Sequence, residues 1–316
     1  MSENREPLCE MADGLFADLR GAEFAEAWPK LEEAGFGLLL FPEDAGGFGG
    51  DWGDLAAIMR LAGLHALAAP LGEHIIATHI VQACGREALG LLTIAQSDTA
   101  PVPWGRHADQ IICVRNGGLH LVSGASVQGA SPVGEPRDAI SYDWKLAQEL
   151  NYSADPIALI AFLRVCQTAG ALDGALQLAI DYCSQRVQFG RPLSKFQAVQ
   201  QSIALLAVDA AAVNCAAQGA ADALDRGGTD YAAELEIASA KLRANIAIKT
   251  GSALAHQVHG AIGFTRDYPL HELTRRMMGW RSEGGNDTYW SGVIGEKVLG
   301  WGGAGLWHNL TQRTDD

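Results

Sequence analysis

Residues 186–197 read Arg186-Val187-Gln188-Phe189-Gly190-Arg191-Pro192-Leu193-Ser194-Lys195-Phe196-Gln197, and the fold is decided around this junction. Upstream, Asp155-Pro156 places an N-cap before a proline at the first helical position. Apolar residues then recur at helical spacing through Tyr182, and Gly190 and Pro192 stop the run. Ser194 is expected to cap a second helix that reaches Gly227-Gly228, and Thr229-Asp230 to open a third that runs toward Gly260. Each of these helices spans about 30 residues, or roughly 45 Å. With a fourth helix expected from Leu270 to Arg281, they make an antiparallel bundle over residues 151–316, whose alanines (Ala210 to Ala212, Ala216, Ala217, Ala220, Ala221) let helices approach closely.

Outward toward the N-terminus the pattern changes twice. In residues 89–150, Ile111 to Val114 and Leu119 to Val122 flank Gly117-Gly118, as two short strands around a turn do. Residues 1–88 read as helices again. Gly35 breaks a run that starts at Glu26, Glu43 to Gly50 forms a turn-rich loop, Asp51 caps a helix through Leu61, and Leu71 to Cys84 is one more. The expected fold class is mainly α with a small β insert.

Composition narrows the function. The chain has 316 residues, 48% of them apolar and 19% charged, enough for a sizeable core. Net charge is −14, which argues against nucleic acid and anionic membrane as partners. The charge is uneven: nine Lys/Arg stand against 21 Asp/Glu in residues 1–150, and 14 against 16 in residues 151–316. A phosphate-bearing ligand meets less repulsion in the second half. No uninterrupted apolar run approaches the roughly 18 residues of a membrane span, and no apolar signal region follows the N-terminus, so a cytoplasmic protein is expected. The six cysteines follow no zinc or disulfide spacing, and no metal is expected.

Three stretches carry chemistry. In residues 186–197, Arg and Gln at a helix end, with backbone N–H groups opening the next helix, can grip a phosphate or pyrophosphate; a solvated interhelix loop is the plainer alternative. In Ala255 to Thr265, Gly260 and Gly263 allow close backbone approach, while His256 and His259 lack the further ligands a metal needs. In Arg281 to Thr288, Glu283 precedes Gly284-Gly285; it can be a general base if burial raises its pKa, or a solvated acid near a helix cap.

Together these stretches resemble the C-terminal domain of the flavin-dependent acyl-CoA dehydrogenases. That family writes the junction as R-x-Q/T-F-G-x-x-L-x-x-F/H-Q. Its Q-x-x-G-x-x-G-F-x-x-x-Y-P-L pattern follows as Gln257, Gly260, Gly263, Phe264, Tyr268, Pro269 and Leu270, and its L-P-E-x-x-G-G-x-G loop is similar to Leu40 to Gly50. The resemblance implies an N-terminal helical domain over 1–88, a reduced middle β domain over 89–150 and a C-terminal four-helix bundle over 151–316. It also implies FAD, with a hydride leaving Cβ of an acyl-CoA thioester while a Glu takes the α-proton to give the trans-2-enoyl-CoA. By the same resemblance Arg186 would meet the pyrophosphate across a subunit interface. Gln188, Phe189, Leu193, Phe196 and Gln197 would line the cofactor, and Gln257, Val258, Gly260 and Ala261 its adenosine part. Glu283 would stand at the family's base, and an electron-transfer flavoprotein would be the acceptor.

Three departures matter. The middle domain is about half the family's usual size, and its L-T-E-P-x-x-G-S-D motif is reduced to Leu92-Thr93-Ile94-Ala95-Gln96-Ser97-Asp98. The catalytic E-G-T becomes Glu283-Gly284-Gly285, one or two residues early. The alternative base position on the first bundle helix falls near Ile160. These features, with the Thr274 to Arg281 run, are similar to the short subunit of heteromeric acyl-CoA dehydrogenases of bacterial steroid and bile-acid side-chain degradation. The implied partner is a longer acyl-CoA dehydrogenase-like subunit in an α2β2 heterotetramer. The alternatives are a self-sufficient homomeric enzyme using Glu283 and a non-catalytic helical scaffold.

Overall fold

A computed structural model describes residues 4–129, 135–153, 155–227 and 231–311. Four helices lead: α1 (Arg5–Asp18), α2 (Phe24–Glu33), α3 (Trp52–Leu64) and α4 (Leu71–Ala83). Asp51 caps α3 as expected, in a reciprocal box. Its carboxylate accepts from the Asp54 N–H at 2.7 Å, and the Asp54 carboxylate accepts from the Asp51 N–H at 3.1 Å. Arg5 pairs with both acids and so ties α1 to the start of α3.

The β region holds β1 (Leu92–Ala95), β2 (Val102–Pro103), β3 (Gln110–Arg115), β4 (Gly118–Val122), β5 (Gly124–Val127), β6 (Arg137–Tyr142) and β7 (Gln148–Leu150). The expected hairpin is β3–β4, but its turn is Asn116-Gly117, both left-handed, and Gly118 already belongs to β4. It lies in a sheet ordered β1-β3-β4-β7, in which β1 runs parallel to β3. A second sheet, β2-β6-β5, packs nearby. Sequence reading missed these other strands. β1 is buried along its whole length and β5 exposed along its whole length, so neither alternates.

The rest of the chain is α5 (Pro156–Gln185), a short hairpin of β8 (Val187–Gln188) and β9 (Arg191–Pro192), α6 (Gln197–Gly227), α7 (Tyr231–His259), α8 (Leu270–Trp280) and α9 (Asp287–Thr311). Asp155 caps α5, accepting from the Ile157 N–H at 2.9 Å. Ser194 does not cap α6. It sits in a 3₁₀ turn, Leu193–Lys195, and its carbonyl accepts from Gln200 Nε2. The expected start of the third helix at Thr229-Asp230 lies outside the described residues. The bundle also has more than the four expected helices, because α9 packs along α7, with a kink at Gly302 (φ 67°, ψ 166°).

One apolar core runs from α1 through the bundle to Trp290. One close crossing within it is α3 on α5. A Cβ on Gly63 would lie 2.0 Å from the Gln167 carbonyl oxygen, and one on Gly170 1.7 Å from the Arg60 carbonyl oxygen, so only glycine permits this backbone contact. By length and composition α5 and α6 are each long and apolar enough to cross a membrane, although neither contains an uninterrupted apolar run of that length. The apolar window of α5 is 89% buried within the protein, and that of α6 only 28%.

Candidate functional site: a half-open cleft at the α5–α6 junction

At the end of α5 the chain leaves helical geometry at Arg186 and folds into the β8–β9 hairpin. The turn is Phe189-Gly190, with φ of 52° and 81°. Two consecutive positive φ values make a turn that suits the twist of a hairpin, but this region costs a phenylalanine about 1–2 kcal/mol. Burial does not offset that cost, since Phe189 is 90% exposed. A strained, solvent-facing aromatic points to a function outside the fold of this chain. Phe196 packs edge-on to Phe189 at 6.1 Å, and the Arg191 guanidinium lies 4.1 Å over the Phe196 ring.

Facing the hairpin is the C-terminal end of α7 with its turn at Gly260 (φ 65°). Between them lies a cleft of about 590 Å³. It brings together Arg186, Gln188 and Leu193 from the junction with Gln257, Val258, Gly260 and Ala261. Phe189, Phe196 and Gln197 flank the cleft rather than line it. The Arg186 side chain is exposed and enters no ion pair among the described residues. Sequence reading missed Tyr182, Val199 and Ser202 on the walls; Tyr182 lies one helical turn before Arg186, and Val199 and Ser202 share a face of α6. On the other side of Gln257 and Gly260, a cavity of about 900 Å³ opens between α7 and α8, beside Phe264 and Met278.

Both histidines of the second stretch are engaged in the fold. His259 is buried, with Nδ1 2.7 Å from the Ala255 carbonyl and its ring stacked on Tyr182 at 4.9 Å. His256 Nε2 lies 3.0 Å from Thr274 Oγ1, and its ring stacks on Phe264.

Glu283 lies elsewhere, in the turn between α8 and α9, and not in the way a base requires. Its Oε1 accepts from Arg137 Nε at 2.8 Å, and its Oε2 accepts from Arg164 Nε at 2.9 Å. Burial alone would raise its pKa; Arg164 and Arg137 outweigh burial and hold the carboxyl below its ordinary value. The condition for a base, a pKa raised by burial, is therefore not met, and the acid is clamped rather than solvated. The arginines belong to a longer chain of charges. Arg164 Nη2 also donates to Glu73 Oε1 at 2.6 Å, Arg137 Nη2 to Glu135 Oε2 at 3.2 Å, and Arg276 Nε to Glu135 Oε1 at 2.7 Å. The turn that carries Glu283 is built to fit. Gly284 and Gly285 have φ of 66° and 94°. A Cβ on Gly285 would lie 2.5 Å from Trp290 Nε1, and one on Gly284 2.5 Å from the Ala161 nitrogen. This is the physical reason for glycine where the family pattern has threonine. Gln96 Oε1 accepts from the Gly284 N–H at 3.2 Å, and the buried Lys241, its pKa pulled down to about 7 by burial and then by Arg164, donates to the Trp280 carbonyl at 2.9 Å.

A helical layer, a small β region and a helical bundle, with a cleft at the bundle junction, make up an acyl-CoA dehydrogenase fold. Residues 157–299 match the acyl-CoA dehydrogenase C-terminal domain. The chain is 28% identical over 264 residues to acyl-CoA dehydrogenase IpdE2 of Mycobacterium tuberculosis, covering 78% of each protein. Its structure is similar to a Tcur3481-Tcur3483 steroid ACAD variant, with a TM-score of 0.85 at 22% identity over 94% of this chain and 98% of that one. It is also similar to the ChsE4-ChsE5 complex of Mycobacterium tuberculosis, with a TM-score of 0.80 at 20% identity over 95% and 98% of the two chains. The match places residues 157–299 with the C-terminal domain of the acyl-CoA dehydrogenases, and the fold of the whole described chain is similar to theirs.

Proposed function

We propose that this chain is the short subunit of a cytoplasmic heteromeric acyl-CoA dehydrogenase, which introduces a trans-2 double bond into a steroid or bile-acid side-chain acyl-CoA. Its contribution is the across-interface half of the partner's FAD site. The partner is a longer acyl-CoA dehydrogenase-like subunit in an α2β2 assembly, with an electron-transfer flavoprotein as acceptor. The observation that carries this reading is the cleft between the hairpin and α7, where Arg186, Gln188, Gln257 and Gly260 converge on the surface. The likeness to a steroid ACAD variant supports the substrate class, and the likeness to the ChsE4-ChsE5 complex supports the heteromer.

The residues fit the cofactor. The exposed Arg186 guanidinium would pair with the pyrophosphate, a charge-assisted contact. The Gln188 and Gln257 amides offer donors and acceptors at the two cleft walls, and the open backbone at Gly260 admits a close approach. Phe189, already held outward, would cover the ligand from solvent as the partner closes over it. The chemistry that FAD supplies there is acceptance of the hydride from Cβ of the thioester.

Loss of the Arg186 contact is worth roughly 1.5–3 kcal/mol. Arg186→Ala in the co-purified complex should weaken FAD retention about ten-fold or more while the melting temperature of the apoprotein stays unchanged. The check is flavin absorbance per protein after dialysis; full retention in the variant would falsify the assignment.

A further inference from the structure

We infer that the cavity between α7 and α8 is a second small-molecule site, separate from the cofactor cleft, and that it takes a flat, largely apolar anion. The inference goes beyond the cofactor reading above and stands without it.

The cavity follows from spacing along two helices. On α7 and the turn that ends it, Lys249, Ala253, His256 and Gly260 recur every three or four positions and so share one face. On α8, His271, Thr274 and Met278 do the same. The α7 face carries small residues, Ser252, Ala253 and Gly260, and nothing lies within 4 Å of a Cβ added at Gly260. The helices therefore leave about 900 Å³ between them, a volume in the range of small-molecule sites.

The walls suit a flat apolar body. The His256 ring stacks on Phe264 with centroids 4.3 Å apart and planes 18° from parallel, and Phe264 is still 72% exposed. An aromatic face held in place and left open is a surface on which another ring can stack. Met278, half exposed, lines the cavity from α8, and its unbranched thioether adapts to the shape of a ring. The polar atoms of these walls are mostly spent within the fold. His256 Nε2 lies 3.0 Å from Thr274 Oγ1, that hydroxyl donates to the Leu270 carbonyl at 3.2 Å, and His271 Nδ1 lies 2.8 Å from the Tyr268 carbonyl.

Charge selects the sign of the ligand. Among the described residues no carboxylate lines the cavity, whereas Lys249 and Arg275 both do. Lys249 is exposed and enters no ion pair among the described residues. His256 adds no charge at neutral pH, because burial and then His259 pull its pKa below the ordinary 6.5. In a chain of net charge −14, a cavity with two cations and no acid is a local exception that favours an anion. Gln257 and Gly260 wall both this cavity and the cofactor cleft, so the two spaces are neighbours. Arg186 lines the cleft and not the cavity, and Lys249, Ala253 and Met278 line the cavity and not the cleft, so each can be altered without the other.

The test titrates the purified chain, in the assembly in which it is obtained, with anilinonaphthalene sulfonate, a fluorescent flat anion. Phenylnaphthylamine, the same rings without the sulfonate, is the neutral control. The expected result is one saturable site per chain, with the anion bound about three-fold or more tighter than the neutral compound. Ala253→Trp, which puts a large side chain into the cavity, should weaken the anion at that site about ten-fold or more. Met278→Glu, at an exposed position on the facing wall, should do the same by like charge, and it decides the matter if the tryptophan variant does not fold. Lys249→Gln should remove the preference for the anion, and Arg186→Ala should leave the site unchanged. No saturable binding, or equal binding in wild type, Ala253→Trp and Met278→Glu, overturns the site. Loss of binding in Arg186→Ala, with displacement of the probe by FAD, places the probe in the cofactor cleft and overturns it as well. Equal affinity of wild type for the two compounds overturns the assignment of an anion. Flavin absorbance of the same preparations is read separately: a colourless wild-type complex overturns the FAD reading and leaves the result for the cavity as measured.

Discussion

The His74 imidazole sits between α4 and β1, where its Nδ1 accepts from the Leu92 N–H at 3.1 Å. Its Nε2 edge lies against Gly37, where an added Cβ would come within 2.7 Å. Burial pulls its pKa from 6.5 down to about 4. The folded state thus binds the proton more weakly than the unfolded chain. His74 contributes stability that is fully present above the unfolded value and lost as pH falls from about 6.5 toward 4, up to ~3 kcal/mol in all. Urea denaturation from pH 7 to pH 4 should therefore show a steeper loss for wild type than for His74→Gln. Parallel curves would remove His74 as the cause. The candidate site was legible at this scale where its residues are neighbours in sequence: Arg186, Gln188 and Leu193 stand in one short motif, and Gln257 to Ala261 in another. The clamp on Glu283 was not legible, because Arg137 and Arg164 lie 146 and 119 positions away along the chain. From sequence, a lone Glu before two glycines reads as a solvated acid near a helix cap, or as a base if burial raises its pKa, and neither reading contains the clamp.

The long helices were the most legible elements, because Asp51, Asp155 and Pro156 mark their starts and the apolar period is sustained over many turns. The start of α6 was misplaced, because Ser194 resembles a cap while the hairpin and a 3₁₀ turn delay the helix to Gln197. α9 lost its outline because glycines interrupt its apolar period, as at Gly302. The α3–α5 crossing gives a sharp test. Gly170→Ala forces a methyl group into the Arg60 carbonyl, where backbone rather than a flexible side chain must yield. The expected loss is about 3 kcal/mol or more. Gly219→Ala on α6, where nothing lies within 4 Å of the added atom, should be neutral or stabilising by up to ~1 kcal/mol. Thermal melts of both variants provide the check. Equal effects would mean that α3 and α5 do not touch as described.

At the scale of the whole molecule, the unpaired surfaces gather on the bundle. Leu205 and Val208 on α6, Ile246 on α7 and Leu299 on α9 are exposed, alongside the open half-cleft. Apolar surface of this kind suits a subunit interface. Expressed alone, the chain should be colourless or poorly soluble. Co-expressed with the longer subunit, it should purify as a yellow complex with fewer flavins than chains, measured by flavin-to-protein ratio and light scattering. A lone homomer with one FAD per protomer that oxidises an acyl-CoA would replace this picture with a self-sufficient enzyme. The backbone contact of Gly63 and Gly170 with the facing helices also bears on what length of β region the helical core accepts. Roughly a hundred residues, the β region among them, form a loop whose two ends are joined at that contact. The entropy of closing a loop grows only with the logarithm of its length, about 0.6 kcal/mol per doubling. The helical core therefore scarcely registers how long the excursion is, and large deletions in it leave the α3–α5 crossing almost as favourable as before.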